Sequence, residues 1–227
     1  MMPSLPELPA SFAAALKLID EAHAEDPRMV TVPGQLSNAD GAATTIPYEL
    51  HYAQRMTRWL AVRCPDASPT LQLACRAQKF RSWETPRSTF PPTRAGYLTW
   101  RARQNTQAAS QLSALLLSSS SSSGTSIPAA DVDRVASLVR KEGLATDPET
   151  QALEDVAWLV FLDGQLEGFE RHAGGRLGED KMLRILHKTW DKISPEGGRL
   201  ALETRMGERA WALVEKALEG YYATTYI

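Results

Sequence analysis

The sequence predicts an all-α fold, a single-domain bundle of about eight helices around a buried central helix at about 150–165. Apolar residues recur at helical spacing through most of the chain, and segments with the alternating pattern of strands are almost absent. Helix starts are also marked by a capping residue followed by proline, as at Ser68-Pro69 and Asp147-Pro148. At 227 residues the chain is long enough to bury a substantial core.

The first part of the chain contains three predicted helices and one loop. Ser11 opens the first helix and Pro27 closes it. Proline, glycine, asparagine and aspartate follow one another without a period through 27–47, which predicts a loop. Helical spacing returns at Tyr48 and stops at Pro65, and the serine–proline pair then begins the third helix.

Prolines interrupt the middle of the chain, and a long helix follows them. Pro86, Pro91 and Pro92 exclude regular structure, after which we expect a helix over about 93–117. Six consecutive serines and a glycine then predict a flexible surface loop at 118–125.

The second half continues with helices. One starts at Pro128 and ends at Gly143. The next, opened by the aspartate–proline pair, is apolar almost all the way round at 157–162, so we expect it at the centre of the fold. Two amphipathic helices near 179–193 and 207–218 complete the chain.

This pattern predicts a flexible tail at 1–9, one helical domain at 10–220 and a second tail at 221–227. No run of about 18 apolar residues and no signal-peptide pattern is present, so we expect no membrane partner and a cytoplasmic location, with the nucleus as the alternative. Cys64 and Cys75 occur without a CxxC pair or clustered histidines, so neither a zinc site nor a disulfide framework is predicted.

Positive charge is concentrated between Arg76 and Arg103. Seven cationic residues and one acid, Glu84, give this basic stretch a balance of +6, and the formal net charge of the whole chain is −2, so the remaining residues sum to −8. Arginines interleaved with aromatic residues are typical of an anion-binding surface. The candidate ligand-binding residues are Arg76, Arg81, Trp83, Arg87, Arg94, Tyr97 and Arg101.

Two interpretations of the basic stretch remain open. Arg94, Tyr97 and Arg101 fall on one face of the predicted long helix at i, i+3 and i+7, which suits a phosphate, a nucleotide or a polyanion. Alternatively, the arginines have a purely structural role: Arg76, Arg87 and Arg94 cap helix ends and pair with neighbouring acids. Arg101 and Arg103 then lie on a solvated face.

The resemblance to a known family is carried by three blocks, LACRAQKFRSWETPRSTFPPTRAGYLTWR, TDPETQALEDVAWLVFL and KMLRILHKTWDKIS. They resemble a family of bacterial and fungal proteins known as domain of unknown function 4202, over about 48–218. The resemblance implies a fold and little established biochemistry. Fungal members often carry a glutamyl-tRNA synthetase label, but this sequence has no HIGH-type signature and no alternation of strands and helices, so we expect no synthetase activity.

The candidate catalytic residues are Glu154 and Asp155, at the predicted central helix. Asp155 shares a face with Trp158 and Leu159, and a carboxylate on such a face needs a partner, for which an arginine of the basic stretch is the expected candidate. One interpretation is that Asp155 or Glu154 binds a metal or holds an arginine in position for an anion. The other, which we favour, is a structural ion pair or a solvated helix start.

Helical hydrolases of the HD type offer a template for a metal site. His51 and Asp155 are weak candidates for its first and last ligands, although His51 also fits an ordinary helix histidine. No His-Asp doublet occurs, and Lys79 stands where the resemblance implies a histidine. A protonated ammonium does not ligate a metal, so we expect no metal site, and the cofactor stays open.

Two classes of function follow. The first is a site for a phosphate-bearing or other anionic small molecule, with a degenerate HD-like phosphohydrolase as its catalytic form. The alternative is a non-catalytic binding or adaptor module that presents a basic face to nucleic acid or to an acidic protein. A pI of about 6.1 argues against general nucleic-acid binding, and nothing in the sequence indicates the oligomeric state.

Overall fold

The all-α fold is confirmed by the computed structural model, in which helices form nearly all the regular structure of the described residues. The described residues are 3–36, 43–119, 126–164, 179–204 and 208–225. The predicted serine-rich loop lies outside them beyond Ser119, which itself belongs to a helix. The chain divides into two compact units, Met1–Gly143 and Leu144–Ile227. No helix of the described ranges is long and apolar enough to cross a membrane.

The first unit contains five α-helices and a two-stranded sheet within its described residues. In chain order they are α1 (Ala10–Ala24), β1 (Met29–Leu36), β2 (Ala43–Pro47), α2 (Tyr48–Arg63), α3 (Pro69–Arg76), α4 (Arg94–Ser119) and α5 (Ala129–Arg140). Two short 3-10 turns, Ser82–Glu84 and Arg87–Thr89, lie between α3 and α4. Helix α1 packs on α2, α3 and α4, and α5 packs on α3 and α4.

The core of the first unit is aliphatic, and every helix contributes to it. Its most deeply buried large side chains are Ile19, Met56, Leu60, Leu71, Leu73, Leu112, Leu116 and Leu138. The predicted cap of α3 is present, since the Ser68 hydroxyl accepts the Leu71 backbone N–H at 3.1 Å and Pro69 begins the helix. Helix α5 ends earlier than predicted, at Arg140, because Lys141 takes the left-handed conformation expected at Gly143.

The prediction of a loop over 27–47 is wrong, because β1 and β2 form an antiparallel hairpin there. Val30 pairs with Ile46 and Thr31 with Thr45, so β-branched residues face one another across the strands. The register becomes irregular after Val32, where proline and glycine follow. These two residues hid the strand pattern in the sequence.

The second unit contains α6 (Pro148–Leu162), α7 (Glu179–Trp190), α8 (Pro195–Glu203) and α9 (Glu208–Thr225). Asp147 caps α6 as predicted, accepting the backbone N–H groups of Glu149 and Thr150. Within this unit α6 packs on α8, and α7 packs on α9. The burial predicted for α6 is confirmed, since Leu153, Val156 and Leu159 are fully buried.

Helix α8 was missed by the sequence prediction, which ended the preceding helix at 193 and placed nothing before 207. Ser194 caps α8 through its hydroxyl, which accepts the Gly197 backbone N–H at 3.0 Å, and Pro195 follows as the first helical residue. This is the same serine–proline signal that marks α3.

Candidate functional site

A pocket of about 320 Å³ lies in the first unit between the β-hairpin and α2. The hairpin supplies an apolar wall, and α2 and the end of α3 supply polar and cationic groups. Its lining residues are Val32, Ile46, His51, Gln54, Thr57, Arg58 and Arg76. The four lining residues of α2 follow helical spacing and therefore share one face.

Arg76 is held rigidly in the pocket wall. Its Nε and Nη2 donate to the two carboxylate oxygens of Asp20 at 2.6 and 2.8 Å, and its Nη1 donates to the Thr57 hydroxyl at 3.0 Å. Such a two-pronged contact fixes the plane of the guanidinium. Among the described residues these bonds use three of the five N–H groups of Arg76. The other two N–H groups can donate to a ligand.

Arg58 makes the pocket electropositive, and the pKa of His51 responds to this charge. Arg58 is exposed and has no ion pair among the residues that the structure describes. Burial lowers the pKa of His51 below its ordinary value of 6.5, and the positive charges of Arg55 and Arg58 lower it further. The lowered pKa of His51 is therefore due in part to the positive charge of these two arginines.

A buried acidic cluster beside the pocket connects the hairpin to α2 and to the basic stretch. Glu49 is fully buried, and its Oε1 accepts from the Ser82 backbone N–H at 2.7 Å and from Arg28 Nη2 at 3.1 Å. Glu49 Oε2 lies 3.1 Å from His23 Nδ1. Asp26 accepts Arg28 Nε at 2.8 Å and Nη2 at 2.9 Å. Burial alone would raise the pKa of Asp26, but the hydrogen bonds and charge of Arg28 hold it below its usual value.

Lys79 points to two tyrosines and not into the pocket lining. Its backbone is left-handed, with φ of 63°. Its Nζ donates to the Tyr48 hydroxyl at 3.0 Å and lies 3.9 Å from the centre of the Tyr52 ring. In the metal template His51 would be one ligand and Lys79 stands at the position of another. The structure does not place these two residues in the lining of one site. Across the described ranges, no group of three or more His, Cys, Asp or Glu side chains is placed to hold a metal.

Two further arginines of the basic stretch hold the local structure. Arg81 Nη2 donates to Glu25 at 2.8 Å, and Nη1 reaches Glu84 at 3.5 Å. Arg87 donates to the backbone carbonyl oxygens of Phe90 at 2.8 Å and Pro91 at 2.7 Å. The contacts of Arg87 agree with its structural interpretation, and those of Arg81, which was expected only as a ligand-binding residue, also stabilise the local structure. Trp83, the aromatic candidate between them, is half-buried in a 3-10 turn.

The other three candidates of the basic stretch lie together at the start of α4. Arg94 is exposed, Tyr97 is 48% exposed and Arg101 is half-buried. Neither arginine has an ion-pair partner within the described ranges. The sequence pattern grouped Arg76 with Arg94, Tyr97 and Arg101 as one ligand site. In the structure Arg76 lines a pocket, whereas the other three residues lie on the open face of α4.

Asp155 is fully buried in the second unit, and neutral groups donate to it. Its Oδ1 accepts the Ser194 backbone N–H at 2.8 Å and Gln151 Nε2 at 3.0 Å, and its Oδ2 accepts the Ser194 hydroxyl at 2.6 Å. The carboxylate thus lies at the positive end of α8, where the helix dipole stabilises an anion. Glu154, the other catalytic candidate, is half-buried on α6.

The sequence interpretation missed Arg58, Gln54 and Asp20. A signal for the first two was present, because His51, Gln54 and Arg58 are spaced i, i+3 and i+7 on α2. That face had no apparent function while the preceding segment was taken for a loop, since the second wall of the pocket comes from the hairpin. Asp20 carries no comparable signal, because its partner Arg76 lies 56 residues further along the chain.

Comparison with known proteins gives a family and no biochemical precedent. Neither a curated protein nor a solved structure shows a significant match to this chain. A family model does match, over residues 13–214, which is most of the chain. The protein therefore belongs to the family described as domain of unknown function DUF4202.

Proposed function

We propose that the protein binds a small phosphate-bearing anion in the pocket between the hairpin and α2. The observation that carries this proposal is the grouping of Arg58, Arg76 and His51 in a pocket whose described lining contains no carboxylate. Arg58 has no ion pair within the described ranges, and Arg76, although paired with Asp20, keeps two N–H groups, so the two guanidinium groups can bind a phosphate through hydrogen bonds.

The proposed roles of the lining residues follow from their positions. Arg76 is already fixed by Asp20, so its two remaining N–H groups can meet an anion without a large loss of side-chain freedom. Arg58 supplies a mobile charge, and Gln54 supplies an amide. Val32 and Ile46 provide apolar contact for the organic part of the ligand.

The pocket volume favours a small ligand. A volume of about 320 Å³ is at the lower end of the range for small-molecule sites, roughly 300–1,000 Å³. This suits a sugar phosphate or a nucleoside monophosphate better than a dinucleotide. We propose binding as the function, because the described lining offers no carboxylate to hold a divalent metal or to activate water.

Thermal denaturation with and without ligand tests the proposal. Inorganic phosphate, a hexose phosphate and a nucleoside monophosphate should each raise the melting temperature of the wild-type protein, since a ligand that binds only the folded state stabilises it. Arg58→Ala should remove most of this rise. Arg103→Ala is the matched control, because Arg103 is also exposed without an ion pair in the described part but lies on α4. An unchanged rise in Arg58→Ala would show that the pocket is not the binding site.

A further inference from the structure

The exposed face at the start of α4 is separate from the pocket, and its side chains form a continuous stripe. Arg94, Tyr97, Leu98 and Arg101 are spaced i, i+3, i+4 and i+7, so they lie on one side of the helix. Tyr97 is 48% exposed and Leu98 is 56% exposed. Two large apolar side chains thus stand in solvent between two arginines.

The same stripe is buried further along α4. Ala108, Leu112 and Leu116 continue it at helical spacing and belong to the core of the first unit. The side of α4 that faces the core therefore continues toward the N-terminus of the helix, past the helices that cover it. There Tyr97 and Leu98 are exposed to solvent, as far as the described residues show. An apolar stripe that changes from buried to exposed along one helix is typical of an interaction surface.

The exposed end of α4 is rigid. The Tyr97 ring lies 5.7 Å from that of Trp100, and Trp100 Nε1 donates to the Thr85 backbone oxygen at 2.9 Å. One turn before Trp100, on the same side of α4, the Pro91 carbonyl approaches Gly96 so closely that a Cβ there would lie 2.3 Å from its oxygen. The loop before α4 thus packs against its first turn, and the aromatic surface does not have to be ordered when a partner binds.

The charge of this face calls for an acidic partner. Arg94 is the first residue of α4, where the helix dipole is positive and a cation is unfavourable, and Arg101 lies two turns further along. Neither has an acid partner among the residues described. Carboxylates from another molecule would neutralise these two positive charges.

We propose that this face of α4 binds an acidic amphipathic helix of a partner protein. Two carboxylates of the partner meet Arg94 and Arg101, and aliphatic side chains between them cover Tyr97 and Leu98. Leu98 favours a protein over nucleic acid, because a phosphodiester backbone offers nothing to cover an aliphatic side chain. A second copy of this chain, docked face to face about a two-fold axis, would bring arginines against arginines.

Fluorescence anisotropy with the full-length protein tests this proposal. The probe is a labelled helix-forming peptide with glutamates spaced like Arg94 and Arg101 and leucines spaced like Tyr97 and Leu98. The comparison probes are a scrambled peptide of the same composition and a single-stranded oligo-dT. We expect the patterned peptide to bind more tightly than the scrambled one.

The variants locate the binding face. Arg94→Glu with Arg101→Glu should weaken patterned-peptide binding about tenfold or more, and Leu98→Ser should weaken it about tenfold. Arg103→Glu is the matched control, because nine residues separate Arg103 from Arg94, which places it on the opposite side of α4. It should change binding less than about twofold, and circular dichroism should show the helix content of all variants unchanged.

Four results would overturn the proposal: equal binding of the scrambled peptide, equal weakening by Arg103→Glu, binding of oligo-dT alone through the same arginines, or no binding of any probe. Sedimentation could instead show a concentration-dependent dimer that Leu98→Ser dissociates. In that case the partner on this face is a second copy of the chain and not the helix of another protein. Arg58→Ala must keep peptide binding, so this proposal and that of the anion pocket succeed or fail separately.

Discussion

One carboxylate oxygen of Glu49 accepts both the backbone N–H and the hydroxyl of Ser82, at 2.7 and 2.5 Å. The two residues are 33 positions apart, and this contact holds the turn between α3 and α4 on the first turn of α2. Arg28 and His23 contact the same carboxylate, so Glu49 also joins α1 and the hairpin to this point. A single buried acid thus connects α1 and α2 with the residue before the hairpin and with the turn at Ser82 in the basic stretch.

Replacing Glu49 with alanine should destabilise the protein by about 1–3 kcal/mol, because the fully buried His23 ring and the Ser82 N–H lose their partner. Urea denaturation measures the loss. Glu21→Ala is the matched control, since Glu21 is exposed and pairs with Lys17 on the surface, and it should change stability by less than about 0.5 kcal/mol. Equal effects of the two substitutions would contradict the central role of Glu49.

Two adjacent glycines of α8 should respond in opposite directions to alanine. A Cβ on Gly197 would lie 2.6 Å from the Asp155 Cγ, whereas a Cβ on Gly198 would meet its nearest neighbour, Trp190, at 3.4 Å. Gly197→Ala should therefore destabilise the second unit by about 1–3 kcal/mol. Gly198→Ala should be neutral or stabilise it by up to about 1 kcal/mol, because alanine favours helix.

Calorimetry of the two variants checks this difference, and a double variant tests its cause. Asp155→Ala alone should cost about 1–3 kcal/mol, since the half-buried Ser194 N–H loses the buried carboxylate that accepts it. It also removes the two nearest atoms that a Gly197 side chain would meet, Asp155 Cγ and Oδ1, and leaves the Asp155 Cβ at 3.0 Å. Adding Gly197→Ala to Asp155→Ala should then cost much less than Gly197→Ala in the wild type. Strict additivity would show that the close approach of Asp155 is not the constraint.

Arg87→Ala should destabilise the loop before α4 by about 1–2 kcal/mol, because two carbonyl oxygens lose a charged donor. Hydrogen exchange should accelerate at Gly96 and Tyr97, in the first turn of α4. The phosphate-induced rise in melting temperature should remain, since Arg87 does not line the pocket. If stability is unchanged and the rise disappears, Arg87 binds the ligand, as the basic stretch first indicated.

The sequence predicted what depends on local signals. The caps at Ser68 and Asp147 are contacts within one helical turn, and both are present as expected. The site depends on pairs far apart in the chain, such as Arg76 with Asp20 and Glu49 with Ser82, which spacing and periodicity do not encode. Likewise, the hairpin becomes recognisable only once its two strands are paired.

The same distinction explains the basic stretch. Its charge reversal was visible in the sequence, but the partner of each arginine was not. Arg81 meets Glu25, and Arg87 meets backbone carbonyls, whereas Arg94 is exposed and Arg101 is half-buried, and neither has an ion pair within the described ranges. Some arginines of the basic stretch therefore stabilise the fold, and others can contact another molecule. Only the tertiary contacts distinguish the two groups.

The last prediction concerns pH and follows from the lowered pKa of His51. The unfolded chain takes up a proton on this residue near pH 6.5, whereas the folded protein takes it up at a lower pH. Between these two values the unfolded state binds more protons, so the contribution of His51 to stability is present above about pH 6.5 and is lost as the pH falls. His51→Gln should flatten this part of the stability curve.

An anion in the pocket should oppose the effect of Arg55 and Arg58 and raise the pKa of His51. By linkage, anion affinity should increase as the pH falls through this range. Sulfate is the suitable probe, because its own charge stays constant there while that of phosphate changes. NMR titration of the His51 ring with and without sulfate measures the shift directly, and Arg58→Ala should reduce it. If sulfate leaves the His51 titration unchanged, the anion does not bind beside this histidine, and the arginines of the pocket have another role.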